Sequence, residues 1–239
     1  MDRNSAQRVA DAAQAAGLTL GVGFNRRFHP SVGELRNRVG TGRLGSIVAM
    51  VAQHSTSTAQ FVPLDNWRTA PDEAPGGAFT ATGVHSLDHM IELAGRVSEV
   101  RCVTARHYPG RTDDTTTVML QFESGATGLI FSSVATATNF EFTLYGTKGL
   151  GEISRTDLSR LRFAPAATLA PTGPVQPPPD EILQFSGINT LNVELNAFAR
   201  AIRDRQPYPV PIDEVLHGVA VFDAIVRSAP NGTIVGVEA

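Results

Sequence analysis

Residues 115–146 read TTTVMLQFESGATGLIFSSVATATNFEFTLYG, and the period of two within this stretch decides the fold class. Val118, Leu120 and Phe122 fall on one face of a strand, and Phe140, Phe142 and Leu144 on one face of another, because successive side chains of an extended chain point to opposite sides. Short polar links, ESGA at 123–126 and GTKG at 146–149, join such segments, which implies consecutive strands paired as an antiparallel meander. VRCVTARHY at 100–108 reads as a strand of the same set, and the β-branched, apolar SIVAMVAQHS at 46–55 as one more.

Helical patterns surround these strands. Asp2, Asn4 and Ser5 are capping residues ahead of Val9, Ala12, Ala13 and Ala16, and Gly17 stops that helix. The apolar run LTLGVGF at 18–24 reads as a strand. A second helix opens at Pro30 and Ser31 and runs through Leu35 to about Val39. After a polar loop from Ser55 to Pro75, GAFTATGVHSLDHMIELAG at 77–95 is helical and ends at Gly95. The proline-rich stretch from Pro165 to Pro179 reads as an extended excursion that cannot continue the sheet. Two last helices carry apolar stripes, Leu191, Leu195, Phe198 and Ile202, then Val215, Val219, Phe222 and Val226, and both stripes are expected to face the core. The sum is an α+β fold: a mostly antiparallel open sheet of five or more strands with helices on one face. The other face must then be buried against something, which predicts a homo-oligomer. LTLGVGF fits poorly, being too apolar for a strand without neighbours.

GTGRLG at 40–45 matches G-x-G-x-x-G literally. A dinucleotide turn leaves a strand and enters a helix, so that pyrophosphate meets the helix N-terminus. Here a helix precedes and a strand follows, so the glycines are turn residues, and no cofactor-binding residue is expected in this chain.

The chain has 239 residues, 42% of them hydrophobic, and a net charge of -3. That is enough to bury a core and offers no broad basic surface, so neither nucleic acid nor anionic membrane is an expected partner and a small neutral ligand fits better. The single cysteine, Cys102, lies in an apolar run and reads as a core residue of a protein from a reducing compartment. No run of about 18 apolar residues occurs and MDRNSAQR is unlike a targeting peptide, so a soluble, cytoplasmic protein is expected.

Three groups of residues could carry chemistry. On the helix at 77–95, Leu87, Met90, Ile91 and Ala94 share one side, while His85, Asp88, His89 and Glu92 share the other. That polar side is a solvated face, a metal site built on the i, i+4 histidines, or the place of a catalytic or substrate-contacting histidine, with Gly76, Gly77 and Gly83 allowing close approach. The metal reading lacks a glutamate directly after the first histidine and a third histidine downstream. Trp67 and Arg68 form an indole–guanidinium pair able to hold a ring and a carboxylate or hydroxyls, or else anchor a loop through a buried tryptophan. Asn25, Arg26 and Arg27 end LTLGVGF, where they bind ligand or form a salt-bridged junction. The remaining histidines have no constellation.

GVGFNRRFHPSVGELRNRVGTGRLGSIVAM at 21–50, NWRTAPDEAPGGAFTATGVHSLDHMIELAG at 66–95, LQFESGATGLI at 120–130 and LYGTKGLGEI at 144–153 together resemble the Gfo/Idh/MocA oxidoreductases. The resemblance implies a C-terminal α/β domain that packs its open sheet on another subunit and follows a Rossmann domain binding NAD or NADP. It implies sugars, cyclitols and related hydroxy compounds as substrates, with hydride passing to or from nicotinamide between the domains. On this pattern residues 1–24 are the end of a Rossmann domain and 25–239 the substrate and oligomerisation domain. The glycine-rich turn, the acidic ribose contact and the Glu-Lys-Pro segment have no counterpart, so the chain alone is expected to bind no NAD(P), and a separate Rossmann-domain partner would complete it. His85 falls on the histidine of the family's D-x-G-x-H motif and inherits a proton-relay or substrate-orienting role. Ala81 stands where many members carry the aspartate. Asn25, Arg26, Trp67, Arg68 and His89 inherit substrate binding. The rival expectations are a cofactor-independent lyase, isomerase or cyclase working at His85, and a non-catalytic binding or scaffold protein.

Overall fold

In the computed structural model, which describes residues 3–63, 65–109, 112–170 and 173–238, the alternating stretch forms the middle of a nine-stranded sheet. In chain order the elements begin with α1 (Arg3–Ala15), α2 (Pro30–Gly40), β1 (Ile47–Ser55), α3 (Val84–Ala94), β2 (Val97–Ala105), β3 (Thr115–Phe122) and β4 (Thr127–Ser133). Next come β5 (Asn139–Gly146), β6 (Gly149–Ser154), β7 (Arg160–Pro165), β8 (Thr168–Ala170), β9 (Gly173–Val175) and β10 (Glu181–Gln184), and α4 (Thr190–Asp204), α5 (Ile212–Ser228) and β11 (Val235–Gly236) close the chain. The sheet order is β10-β7-β6-β5-β1-β4-β3-β2-β11.

The ESGA and GTKG links make the β3–β4 and β5–β6 hairpins as expected. The meander is nevertheless broken once. β1 lies between β4 and β5, parallel to the first and antiparallel to the second. The five residues from 134 to 138 span two strand spacings, roughly 10 Å, which is well within their reach. β1 thereby becomes a central strand, with Met50 and Ala52 fully buried on the helical side.

α2, α3 and α5 cover that side, over Phe122, Ile130, Phe140, Phe142 and Leu144. Each large apolar side chain buried here contributes about 1.5–3 kcal/mol. Cys102 is a core residue of β2, its thiol pushed up to about 11 by burial and then by Asp113. The ends of α2 follow from its sequence. His29 Nδ1 accepts from the Ser31 backbone N–H, Pro30 occupies the first turn, and Gly42 and Gly45 take positive φ where the chain turns into β1. GTGRLG is therefore a helix-to-strand turn. Asp2 lies outside the described residues, and no helix among them is long and apolar enough to cross a membrane.

Four local expectations need correction. Residues 18–24 form no strand and pair with none among the described residues. The proline-rich stretch does leave the main sheet, but it pairs with itself as β8–β9 and then returns as edge strand β10. The α4 stripe does not face the core: Leu191, Leu195 and Ile202 are 59%, 65% and 52% exposed, and α4 instead buries Glu194, Ala197 and Ala201. On α5 the fully buried line runs through Val221, Ala224 and Ile225, so Val219, Phe222 and Val226 sit half-buried at its flank.

The second face of the sheet carries Val103, Met119, Leu129 and Tyr145, all exposed, Met119 by 57%. No helix among the described residues covers it.

Candidate active site

Two adjacent arginines on one short 3-10 turn, Asn25–Phe28, have opposite fates. Arg27 is buried and fully paired. Its Nε and Nη2 donate to the two Asp88 carboxylate oxygens at 2.8 and 2.5 Å, and its Nη1 donates to Glu214 at 2.5 Å, with Glu92 4.0 Å away. Bonds from both carboxylates outweigh burial and hold the guanidinium protonated. Burial pushes the Asp88 carboxyl up to about 7, with Arg27 pulling it back. Arg26 has no carboxylate partner among the described residues. Its Nη2 donates to His54 Nε2 at 3.4 Å, its guanidinium lies 4.4 Å from the Phe140 ring centroid, and its Nη1 is buried with no partner. Burial lowers its pKa to about 10. The salt-bridged junction is thus Arg27 alone.

Arg26 stands among three histidines. His54 Nδ1 contacts the Thr82 carbonyl at 3.2 Å, so this nitrogen carries the proton and Nε2 accepts from Arg26. His85, half-buried at the start of α3, meets Phe24 edge-on at 6.4 Å and leaves Nδ1 without a partner. His89, one turn further, is 2% exposed, meets Phe142 edge-on at 5.8 Å, and has no partner at either nitrogen. Burial first, and the Arg26 charge second, bring His54 and His85 down to about 4 and hold His89 well below its ordinary value. All three imidazoles are neutral at physiological pH.

The polar side of α3 is therefore no solvated face, since Asp88 and His89 are buried and Glu92 nearly so. Among the described residues no three His, Cys, Asp or Glu side chains gather as metal ligands. The glycines before His85 serve the protein's own packing. A Cβ on Gly83 would strike the Phe79 ring, and one on Gly77 the Asp113 carbonyl. Gly83 closes a π-helical turn, Phe79–Gly83, that leads into α3.

The other expected site residues lie apart from this cluster. Asn25 Nδ2 donates to Thr190 Oγ1 at 2.6 Å and so ties the arginine turn to the first turn of α4. Trp67, 51% exposed, is no buried anchor; Arg68 stacks on it at 4.4 Å from the ring centroid. Arg68 lines a small cleft of about 80 Å³ with Thr69, Ala81, Tyr108, Asp113 and Asp114. On the other side of α3, Phe24, Val84, Leu87, Glu214 and Phe222 line a mostly apolar groove of about 440 Å³.

His54 is the member that the sequence did not disclose. It lies in β1, an inward position like Met50 and Ala52, and nothing local marks it. The other histidines have structural posts: His29 caps α2, His217 Nε2 accepts from the Val97 N–H, and His107 pairs with Asp114 at 2.9 Å. Chemically the cluster offers one fixed cation and neutral imidazoles able to accept or donate a proton, in an aromatic surround.

A protein-family model described as the oxidoreductase family C-terminal alpha/beta domain matches residues 36–237. The D-xylose 1-dehydrogenase (NADP(+)) 2 of Haloferax volcanii is 26% identical over 235 residues, 96% of this chain and 68% of that protein. The trans-1,2-dihydrobenzene-1,2-diol dehydrogenase of Sus scrofa is 28% identical over 148 residues, 62% of this chain. The chain spans 42% of the length of that second relative. Among solved structures, levoglucosan dehydrogenase in complex with NADH and levoglucosan superposes with a TM-score of 0.85 at 21% identity, covering 100% of this chain and 71% of that one. The aldose-aldose oxidoreductase of Caulobacter crescentus complexed with glycerol gives 0.79 at 24%, covering 98% and 69%. The two superpositions establish the likeness of fold, and the family match covers most of the chain: it belongs to the Gfo/Idh/MocA oxidoreductase family, whose C-terminal α/β domain occupies residues 36–237.

Proposed function

We propose that this chain is the substrate-binding and oligomerisation part of a dehydrogenase acting on a sugar-like or cyclic hydroxy compound. The observation that carries the reading is the Arg26–His54–His85–His89 cluster, a cation and three neutral imidazoles with no carboxylate among them. His85, the half-exposed member, takes or returns the proton of a substrate hydroxyl. Arg26 orients the oxygen, and His54 holds Arg26 against Thr82. His89 backs His85 from within, and Asn25 fixes the turn that presents Arg26. Trp67 and Arg68 bound the outer end of the substrate. The names of the relatives, a xylose dehydrogenase and a dihydrodiol dehydrogenase, support the substrate class.

Dehydrogenation also needs a hydride acceptor, which NAD or NADP supplies in named relatives. The GTGRLG stretch does not fit that group. GTGRLG turns from helix to strand, and a Cβ on Gly45 would meet Thr147 and Lys148, so its close approach is to the protein's own side chains. The nucleotide site belongs to a separate Rossmann-type domain, docking on residues 18–24 and on the exposed Leu191, Leu195 and Ile202 of α4. The open sheet face pairs with a second copy.

The test follows NAD(P)H fluorescence and sugar- or diol-dependent reduction of NAD(P)+, with the chain alone and then with a Rossmann-domain protein added. Turnover only with both, lost in His85→Ala, is the expected result. Nucleotide binding by the isolated chain would overturn the assignment of the cofactor site. Conversion of a hydroxy acid without nucleotide, dependent on His85, would establish the cofactor-independent reading, which the base beside a cation favours.

A further inference from the structure

We propose that the ligand received at Arg26 is anionic, a carboxylate on a sugar-like frame, with His85 as a further donor to the same group and His89 behind it. This names the substrate class for the proposed site and rests on that reading.

The chain itself supplies the control. Four of its other buried or half-buried guanidiniums are balanced by carboxylates: Arg27 by Asp88 and Glu214, Arg38 by Glu34 and Glu181, Arg160 by Glu152, and Arg162 by Glu152 and Asp180. Unlike these four, Arg26 has an imidazole and an aromatic ring as its neighbours and no carboxylate among the described residues. A cation withdrawn from water and left without a counter-charge is unfavourable, and the commonest remedy is an anion in hydrogen-bond contact. Around it, Arg26 Nη1, His85 Nδ1 and both His89 nitrogens are enclosed and unpartnered, His89 being 2% exposed. These are donors, or acceptors able to become donors by changing tautomer, arranged about one charge.

The chemistry selects among anions. One guanidinium neutralises one carboxylate, and neutral imidazoles add N–H donors without adding charge. A dianionic phosphate would leave an excess negative charge beside Phe24, Phe140 and Phe142, where the local dielectric is low. An anion on Arg26 would also cancel part of the charge that depresses His85, and so raise the basicity of that imidazole upon binding.

The test is a titration of the purified chain with D-glucuronate, D-glucose and acetate, followed through the His85 ring signals by NMR. D-Glucuronate and D-glucose differ only at C6, carboxylate against hydroxymethyl. The expected result is saturable movement of His85 by glucuronate, at least about tenfold weaker binding of glucose, a weak response to acetate, and a His85 pKa that rises with occupancy. Arg26→Gln should abolish the preference, and Arg26→Lys, which keeps the charge, should retain part of it. Equal affinity for glucose and glucuronate, or a preference that survives in Arg26→Gln, would overturn the anionic ligand while leaving the site in place. Failure of all three to move His85 would overturn the site reading and this one together.

Discussion

Replacing each of the two neighbouring arginines by methionine should separate a structural cation from a functional one. Arg27→Met leaves Asp88, with a side chain 4% exposed, without its cation and removes the bond to Glu214, while Glu92 keeps Arg36. Breaking a buried pair from one side costs about 3–5 kcal/mol, which for a chain of this size lowers Tm by roughly 6–20 °C. The loss should depend on pH. With Arg27 present the Asp88 carboxyl titrates at about 7, and without it the value climbs. A carboxyl whose folded pKa lies above its unfolded one loses stability as pH rises through the folded value. Wild type and variant bind different numbers of protons only above about 7, so their gap widens from there upward. Arg26→Met removes one long hydrogen bond to His54 and a stacking contact on Phe140, each worth about 0.5–1 kcal/mol, and it relieves an unbalanced cation. Its stability should stay within about 1 kcal/mol of wild type. Urea unfolding at pH 5.5 and 8.5 reads all of this. An Arg27→Met protein within about 1 kcal/mol of wild type at pH 8.5, or one more damaged at pH 5.5, would refute the reasoning. So would an Arg26→Met protein that loses as much as Arg27→Met.

Other consequences are simpler to check. His54, His85 and His217 are each lowered to about 4, chiefly by burial; groups depressed in the folded state stabilise it above their unfolded value, so Tm should fall as pH drops from about 6.5 to 4. A flat Tm across that window would show these imidazoles open to water. Gly77→Ala places a side chain at φ +53° against the Asp113 carbonyl and should cost roughly 2–3 kcal/mol in thermal unfolding; a neutral result would mean that the loop shifts freely. Met119→Glu, on the exposed sheet face, should weaken self-association at least about tenfold in light scattering. A wild-type chain that scatters as a monomer at all concentrations would remove the interface.

How much of this was legible in the sequence depended on the range of the interaction. Period-two alternation at 115–122 and 139–146 gave strands with the correct inward faces, because that pattern is local to each strand. The hairpins were legible because their links are four residues long. The insertion of β1 between β4 and β5 was not, since β1 is paired with residues 78 to 99 positions away and no local signal ranks one apolar strand as central. LTLGVGF carries the composition of a buried strand, yet composition names no neighbour, and residues 18–24 join no sheet.

On α3 and α4 burial departs from the helical wheel for one cause. On α3 the polar side is buried, and on α4 the apolar stripe is exposed. A helical wheel assumes that polarity measures contact with water, which holds only if the partners of a face are as the wheel supposes. Asp88 is buried because Arg27, 61 residues earlier, meets it with two hydrogen bonds, and Glu214, 187 residues after Arg27, completes the pairing. Leu191, Leu195 and Ile202 face solvent because no segment among the described residues lies on them. Both faces were written correctly as patterns, and what each pattern could not contain was the identity of what meets it. The same logic singles out Arg26: it has the burial of a paired arginine and lacks the pair, so the balancing charge comes from outside the described residues, and the closeness of His85 makes a ligand the economical source.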